Sequence, residues 1–91
     1  MERIIFKDSA FKHGYDEGDY DAVVRGAKLV LRSRRGYRNV YEVLGRNTAG
    51  DYLHLVTRRY LSGADRIVIV FHMARMKPSD RKRFIQTGER T

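Results

Sequence analysis

The chain has 91 residues, enough for one compact domain (1–91) with little room for a second core, so function is expected on its surface. A hydrophobic content of 42% with six tyrosines and four phenylalanines argues for a folded chain, and a formal net charge of +8 favours nucleic acid, an acidic protein or another polyanion as partner. The absence of cysteine excludes disulfides and thiolate metal sites, the three histidines are too scattered to announce a metal motif, and no signal peptide or membrane-spanning run is evident, so a reducing cytoplasm is the expected location, with no membrane and no cofactor.

In chain order, Arg3, Ile4, Ile5 and Phe6 read as a short first strand, followed by a helical turn that Asp8 or Ser9 can cap and Gly14 can end. Asp16 then serves as N-cap of a longer helix. Its acids at 17, 19 and 21 suit the positive end of the helix dipole, and Tyr20, Val23, Val24 and Ala27 fall on one stripe. Three hairpin signals follow, around Gly36, Gly50 and Gly63, and they predict a four-strand meander near 28–33, 37–46, 51–61 and 66–73. The last strand, with its unbroken run Ile67, Val68, Ile69, Val70 and Phe71, is expected to be central with both faces covered. Pro78 opens a closing helix over 78–87 with Phe84 and Ile85 turned inward and Gly88 as its stop. The fold class is therefore α+β, an antiparallel sheet meander packed by helices in the order β-α-β-β-β-β-α.

Charge is uneven along this order. Residues 1–26 carry four basic and six acidic side chains, net −2, whereas residues 27–91 carry fifteen and five, net +10. The apolar run of the last strand delivers His72 directly into the basic stretch that contains Arg75, Lys77, Arg81 and Lys82, a way to place titratable and anion-binding groups against a polyanion, RNA first among them.

Several segments together resemble a known family. They are Lys12, His13 and Gly14 before the acidic helix; Tyr41 to Arg46 leading through a glycine-containing turn into Tyr52 to Val56; and the strand into His72 followed by Met76 to Phe84. In this order and spacing the chain resembles the small ribonuclease toxins of bacterial toxin–antitoxin pairs, specifically the BrnT-like branch of the RelE-type fold. The resemblance implies a toxin that cuts RNA without a metal, is neutralised by a cognate ribbon-helix-helix antitoxin, and binds its own operator as a hetero-oligomer with it. Two positions depart from the family pattern. Arg75 stands one or two positions later than the arginine of many relatives, and Phe84 replaces a late tyrosine, a phenyl ring where a phenol could give or take a proton.

Metal-free RNA cleavage makes the ribose 2′-hydroxyl the nucleophile, so it needs a base near that hydroxyl, cations around the phosphate and an acid for the leaving oxygen. Histidine titrates near neutrality and suits both proton roles, and arginine offers a planar fork to phosphate oxygens. The expected catalytic set is His13 for proton transfer, His72 as its partner or positioning group, and Arg46, Arg59 and Arg75 on the phosphate. Arg58 and Arg59 point to opposite faces of a regular strand, so only one of them can join a given site. The basic turn with Arg34, Arg35, Tyr37 and Arg38, together with Arg58, Lys77, Arg81 and Lys82, is expected to contact RNA, a base stacking on Tyr37.

Blander readings fit the same residues. His13 can simply end a helical turn, His72 fits a core histidine with a satisfied hydrogen bond, and Arg46 fits a rim charge. His54, alternating with Leu53 and Leu55, fits a surface position on the opposite strand face, and Glu42 an ordinary cross-strand ion pair. Two rival functions follow: a non-catalytic basic nucleic-acid-binding module, or a degenerate toxin kept as a protein-binding subunit.

Overall fold

The computed structural model describes residues 1–33 and 35–88. Its five strands, β1 (Glu2–Phe6), β2 (Lys28–Arg32), β3 (Val40–Arg46), β4 (Tyr52–Ser62) and β5 (Asp65–Arg75), form one sheet in the order β1-β5-β4-β3-β2. The last four make the antiparallel meander, while β1 pairs parallel with β5 from Glu2 opposite Arg66 to Phe6 opposite Val70. The sheet is thus mixed and the fold α+β, which corrects the expectation of an all-antiparallel sheet. β5 is an interior strand, flanked by β1 and β4, but the middle position belongs to β4.

Helix α1 (Glu17–Arg25) starts where the sequence places it, because Asp16 and Asp19 form a reciprocal capping box. The Asp19 amide donates to the Asp16 carboxylate at 3.0 Å and the Asp16 amide to that of Asp19 at 2.9 Å. It ends at Arg25, with Gly26 as its C-cap, two residues before the last position of the predicted stripe, so Ala27 lies exposed beyond it. Tyr20 and Val23 are buried against Val43, Leu53, Leu55, Val68, Val70 and Met73 of the sheet, with Ala10 of a 3₁₀ turn (Asp8–Phe11) closing the core. β3 must carry glycine at position 45, where a Cβ would come within 2.8 Å of a Val23 methyl and would force helix and sheet apart.

The other sheet face is covered only in part, by α2 (Pro78–Arg83) and the π-helical turn Phe84–Gly88 that continues it. Phe84 is fully buried there, edge-on to Tyr52 at 6.0 Å between ring centroids, and Leu44 is buried as well. Ile85 does not turn inward as expected but is 40% exposed, because Phe84 takes the apolar contact of this short segment with the sheet. The second predicted strand also starts late. Asn39 takes a left-handed conformation with φ 61°, so Tyr37 and Arg38 belong to the preceding loop and pairing begins at Val40. None of the described helices is long and apolar enough to cross a membrane.

Candidate active site

One irregularity decides which way His72 faces. Across the β4–β5 ladder, Val56 pairs with His72 but the next residue, Thr57, pairs with Val70, so Phe71 is an extra, bulged residue. Strict alternation from the core residues Val68 and Val70 would send residue 72 into the core. The bulge shifts the phase by one, returns Met73 to the core and turns His72 onto the face shared by His54, Val56 and Glu42.

β1 stops opposite Val70, with the Lys7 amide donating to the Val70 carbonyl at 2.9 Å, and this leaves the β5 edge beyond Phe71 without a strand neighbour. The 3₁₀ turn occupies that edge, its Ser9 hydroxyl donating to the Phe71 carbonyl at 2.7 Å. The loop that follows carries His13 to His72, their rings edge-on at 5.2 Å. His72 in turn lies 5.7 Å from the His54 ring, also edge-on, and His54 Nε2 is 2.8 Å from Glu42 Oε1. Three histidines and a carboxylate, from four separate segments, therefore form one line from the surface into the sheet face. His13 is exposed at one end, and the His54 and Glu42 side chains, only 20% and 13% exposed, make the other.

The inner part of this line, His72, His54 and Glu42, is the floor of an open cleft of about 440 Å³, walled by Ser33, Arg35 and Tyr37 from the β2–β3 loop and by Lys77 and Asp80 at the start of α2, with His13 outside it against His72. Glu42 fixes the His54 ring, since a carboxylate needs a donor: Nε2 carries a proton and the other ring nitrogen is left for chemistry. Burial lowers the His72 pKa from its ordinary value near 6.5, and the neighbouring His54 and His13 lower it further, which keeps the ring unprotonated and able to accept a proton at neutral pH. Among the described residues no group of three or more histidines and carboxylates is arranged to hold a metal ion.

The lowered His72 pKa has a thermodynamic consequence with a definite sign. The unfolded chain binds this proton more readily than the folded one, so stability is full above the ordinary value near 6.5 and is lost as pH falls through the depressed folded value. His72→Gln is expected to flatten that part of the curve, seen as a smaller drop in urea midpoint between about pH 7.5 and about pH 5 than in the parent. An equal drop in both proteins would show that His72 is not the group responsible.

The remaining candidates divide. His13 and His72 are brought together, Arg35, Tyr37 and Lys77 line the same cleft, and Arg58 lies over the Phe71 ring at 5.8 Å from its centroid, on the histidine side. Arg46 and Arg81 both approach the Tyr52 ring, at 4.8 and 4.4 Å from its centroid, two positions along β4 from His54, while Arg38 lies in the β2–β3 loop and Lys82 on the outer surface of α2. Two expectations are corrected. Arg59 faces the α1 side, over the Tyr41 ring at 5.1 Å, because it follows the core residues Leu55 and Thr57 in alternation. Arg75 likewise follows Met73 onto that side, its Nε donating to the Tyr15 hydroxyl at 3.2 Å and its terminal nitrogen 4.0 Å from Asp51. Neither joins His72. Arg34 lies outside the described residues. The residues that sequence reasoning undervalued are His54 and Glu42, although alternation places both on the Leu44 face and close enough to pair across β3 and β4.

No family model matches this chain, and no curated protein matches it.

Proposed function

We propose that this chain is a metal-independent endoribonuclease, the toxin of a BrnT-like, RelE-type toxin–antitoxin pair, with the His13–His72–His54–Glu42 line as its active site. The observation that carries the reading is the convergence of three imidazoles and an orienting carboxylate in an open cleft whose walls bring cations and an aromatic ring. Neutral His72 takes the 2′-hydroxyl proton, and the oxygen attacks the adjacent phosphorus. The ring nitrogen of His54 not held by Glu42 gives a proton to the leaving 5′-oxygen, and Glu42 faces the charge the ring carries. Arg35, Lys77 and exposed His13 hold the phosphate, and a base stacks on Tyr37. The metal-free route and the ribbon-helix-helix partner come from the resemblance of the sequence segments described above, and the cytoplasmic setting from the absence of cysteine.

The test is incubation of a mixed-sequence RNA with the purified chain in excess EDTA. The expected products end in 2′,3′-cyclic phosphate and 5′-hydroxyl, the signature of attack by the neighbouring hydroxyl. RNA that is bound in a salt-sensitive way yet stays intact, with and without translating ribosomes, would overturn the enzyme in favour of the nucleic-acid-binding module.

A further inference from the structure

On the α1 side of the sheet, away from the histidine cleft, a groove of about 800 Å³ runs between α1 and the β1, β4 and β5 strands. Its size falls within the range of small-molecule sites. Its walls mix apolar side chains, with Ile4, Val24, Ile67 and Val68 among them, and polar ones, including the cations Lys28, Arg59 and Arg66 against a single carboxylate, Glu2. Arg59 is the most unusual of these. Among the described residues it is the only arginine that is not exposed. Its guanidinium lies on the Tyr41 ring, and its Nε is sealed from solvent with no hydrogen-bond partner.

Half-buried guanidinium groups ordinarily find an acceptor, since five donors in a fixed fork are costly to leave unmatched. The other described arginines are open to solvent, and Arg25 and Arg75 have carboxylates besides. Among the described residues no carboxylate stands within ion-pair distance of Arg59. Its backbone amide is held by the Asn39 carbonyl at 2.9 Å, so the side chain is presented from a fixed point on β4. Tyr20 lines the same groove, and burial raises the pKa of its hydroxyl, which therefore remains a donor. An excess of cations over carboxylates, a half-buried guanidinium with no ion pair, a phenol in the same groove and an apolar strip together fit an anionic group on an apolar body.

We propose that this groove binds a small apolar carboxylate, its head set against Arg59 and Tyr20 and its body lying on Ile4, Val24, Ile67 and Val68. The site is independent of the ribonuclease reading and stands or falls separately from it.

Decanoate is a suitable probe, followed by the Arg59 Nε–H resonance in ¹⁵N-labelled protein, with the cationic decyltrimethylammonium as a control of equal chain length. Decanoate is expected to shift that resonance saturably with Kd below about 1 mM, and Arg59→Gln to weaken binding by at least about tenfold, the loss of one charge-assisted contact. Tyr20→Phe, which keeps the cation and the apolar ring, should weaken binding by about threefold and serves if Arg59→Gln does not fold. No saturable shift at several times that concentration, equal affinity for the cationic amphiphile, or unchanged affinity in Arg59→Gln and Tyr20→Phe would each overturn the assignment.

Discussion

His54→Ala is expected to lower the single-turnover rate of RNA cleavage by about 10²–10⁴-fold, the usual contribution of one positioned proton-transfer group. The argument rests on its surroundings. Among the described residues His54 is the one histidine with a carboxylate behind it, 2.8 Å away, and it stands ring-to-ring with a second imidazole whose lowered pKa keeps it unprotonated and free to accept a proton. Such a pair divides acid and base between two groups and gives a bell-shaped pH–rate profile, and removal of either ring should erase one limb of it. Glu42→Gln should act in the same direction, since an amide can turn its NH₂ towards Nε2 and select the wrong tautomer. His13→Ala should cost less, because the ring is exposed at the rim and water can replace it. Each protein is first checked by thermal melting. If His54→Ala cleaves at the parental rate with the parental pH profile, the chemistry does not belong to this cluster.

Much of the scaffold was readable because its signals are local. The Asp16 capping box, the glycines at turn positions 36, 50 and 63, all with positive φ, and the alternation of Leu53 and Leu55 are written within a few residues of where they act. What escaped the sequence depends on pairing between distant strands. Parallel addition of β1 to β5 joins residues more than sixty positions apart and has no local signature. The same holds for the bulge at Phe71, which is a property of the β4–β5 register. Yet that one extra residue turns His72 out of the core and onto the floor shared with His54, while the arginines beyond and opposite it, Arg75 and Arg59, remain on the α1 side. Strand periodicity alone cannot assign those faces, because a one-residue slip reverses every one of them. His54 illustrates the reverse case. Its face was legible from Leu53 and Leu55, but its importance comes from neighbours on two other strands and a loop.

Phe84→Ala is expected to be the most damaging single substitution to the fold, costing about 3–5 kcal/mol, as for other buried aromatic truncations. Phe84 has no exposed surface and stands edge-on to Tyr52, and it is the only residue of α2 and its π-helical extension whose apolar ring is buried. A helix of six residues has little stability of its own, so without this ring α2 loses its buried apolar anchor on the sheet. Since α2 brings Lys77 and Asp80 to the cleft, cleavage should fall together with stability. For a domain of this size the loss corresponds to a drop in Tm of more than about 10 °C. The same burial settles what a tyrosine, the residue found here in the toxins the sequence resembles, can do at this position. In Phe84→Tyr the new hydroxyl enters an apolar contact rather than the cleft, so it is expected to destabilise by about 1–3 kcal/mol without raising the rate of cleavage. Thermal melts and single-turnover assays on the two variants check both statements. A Phe84→Tyr protein that melts with the parent and cleaves tenfold faster would mean that this ring position opens onto the reacting phosphate, and that the closing helix, rather than the histidine line alone, supplies the acid.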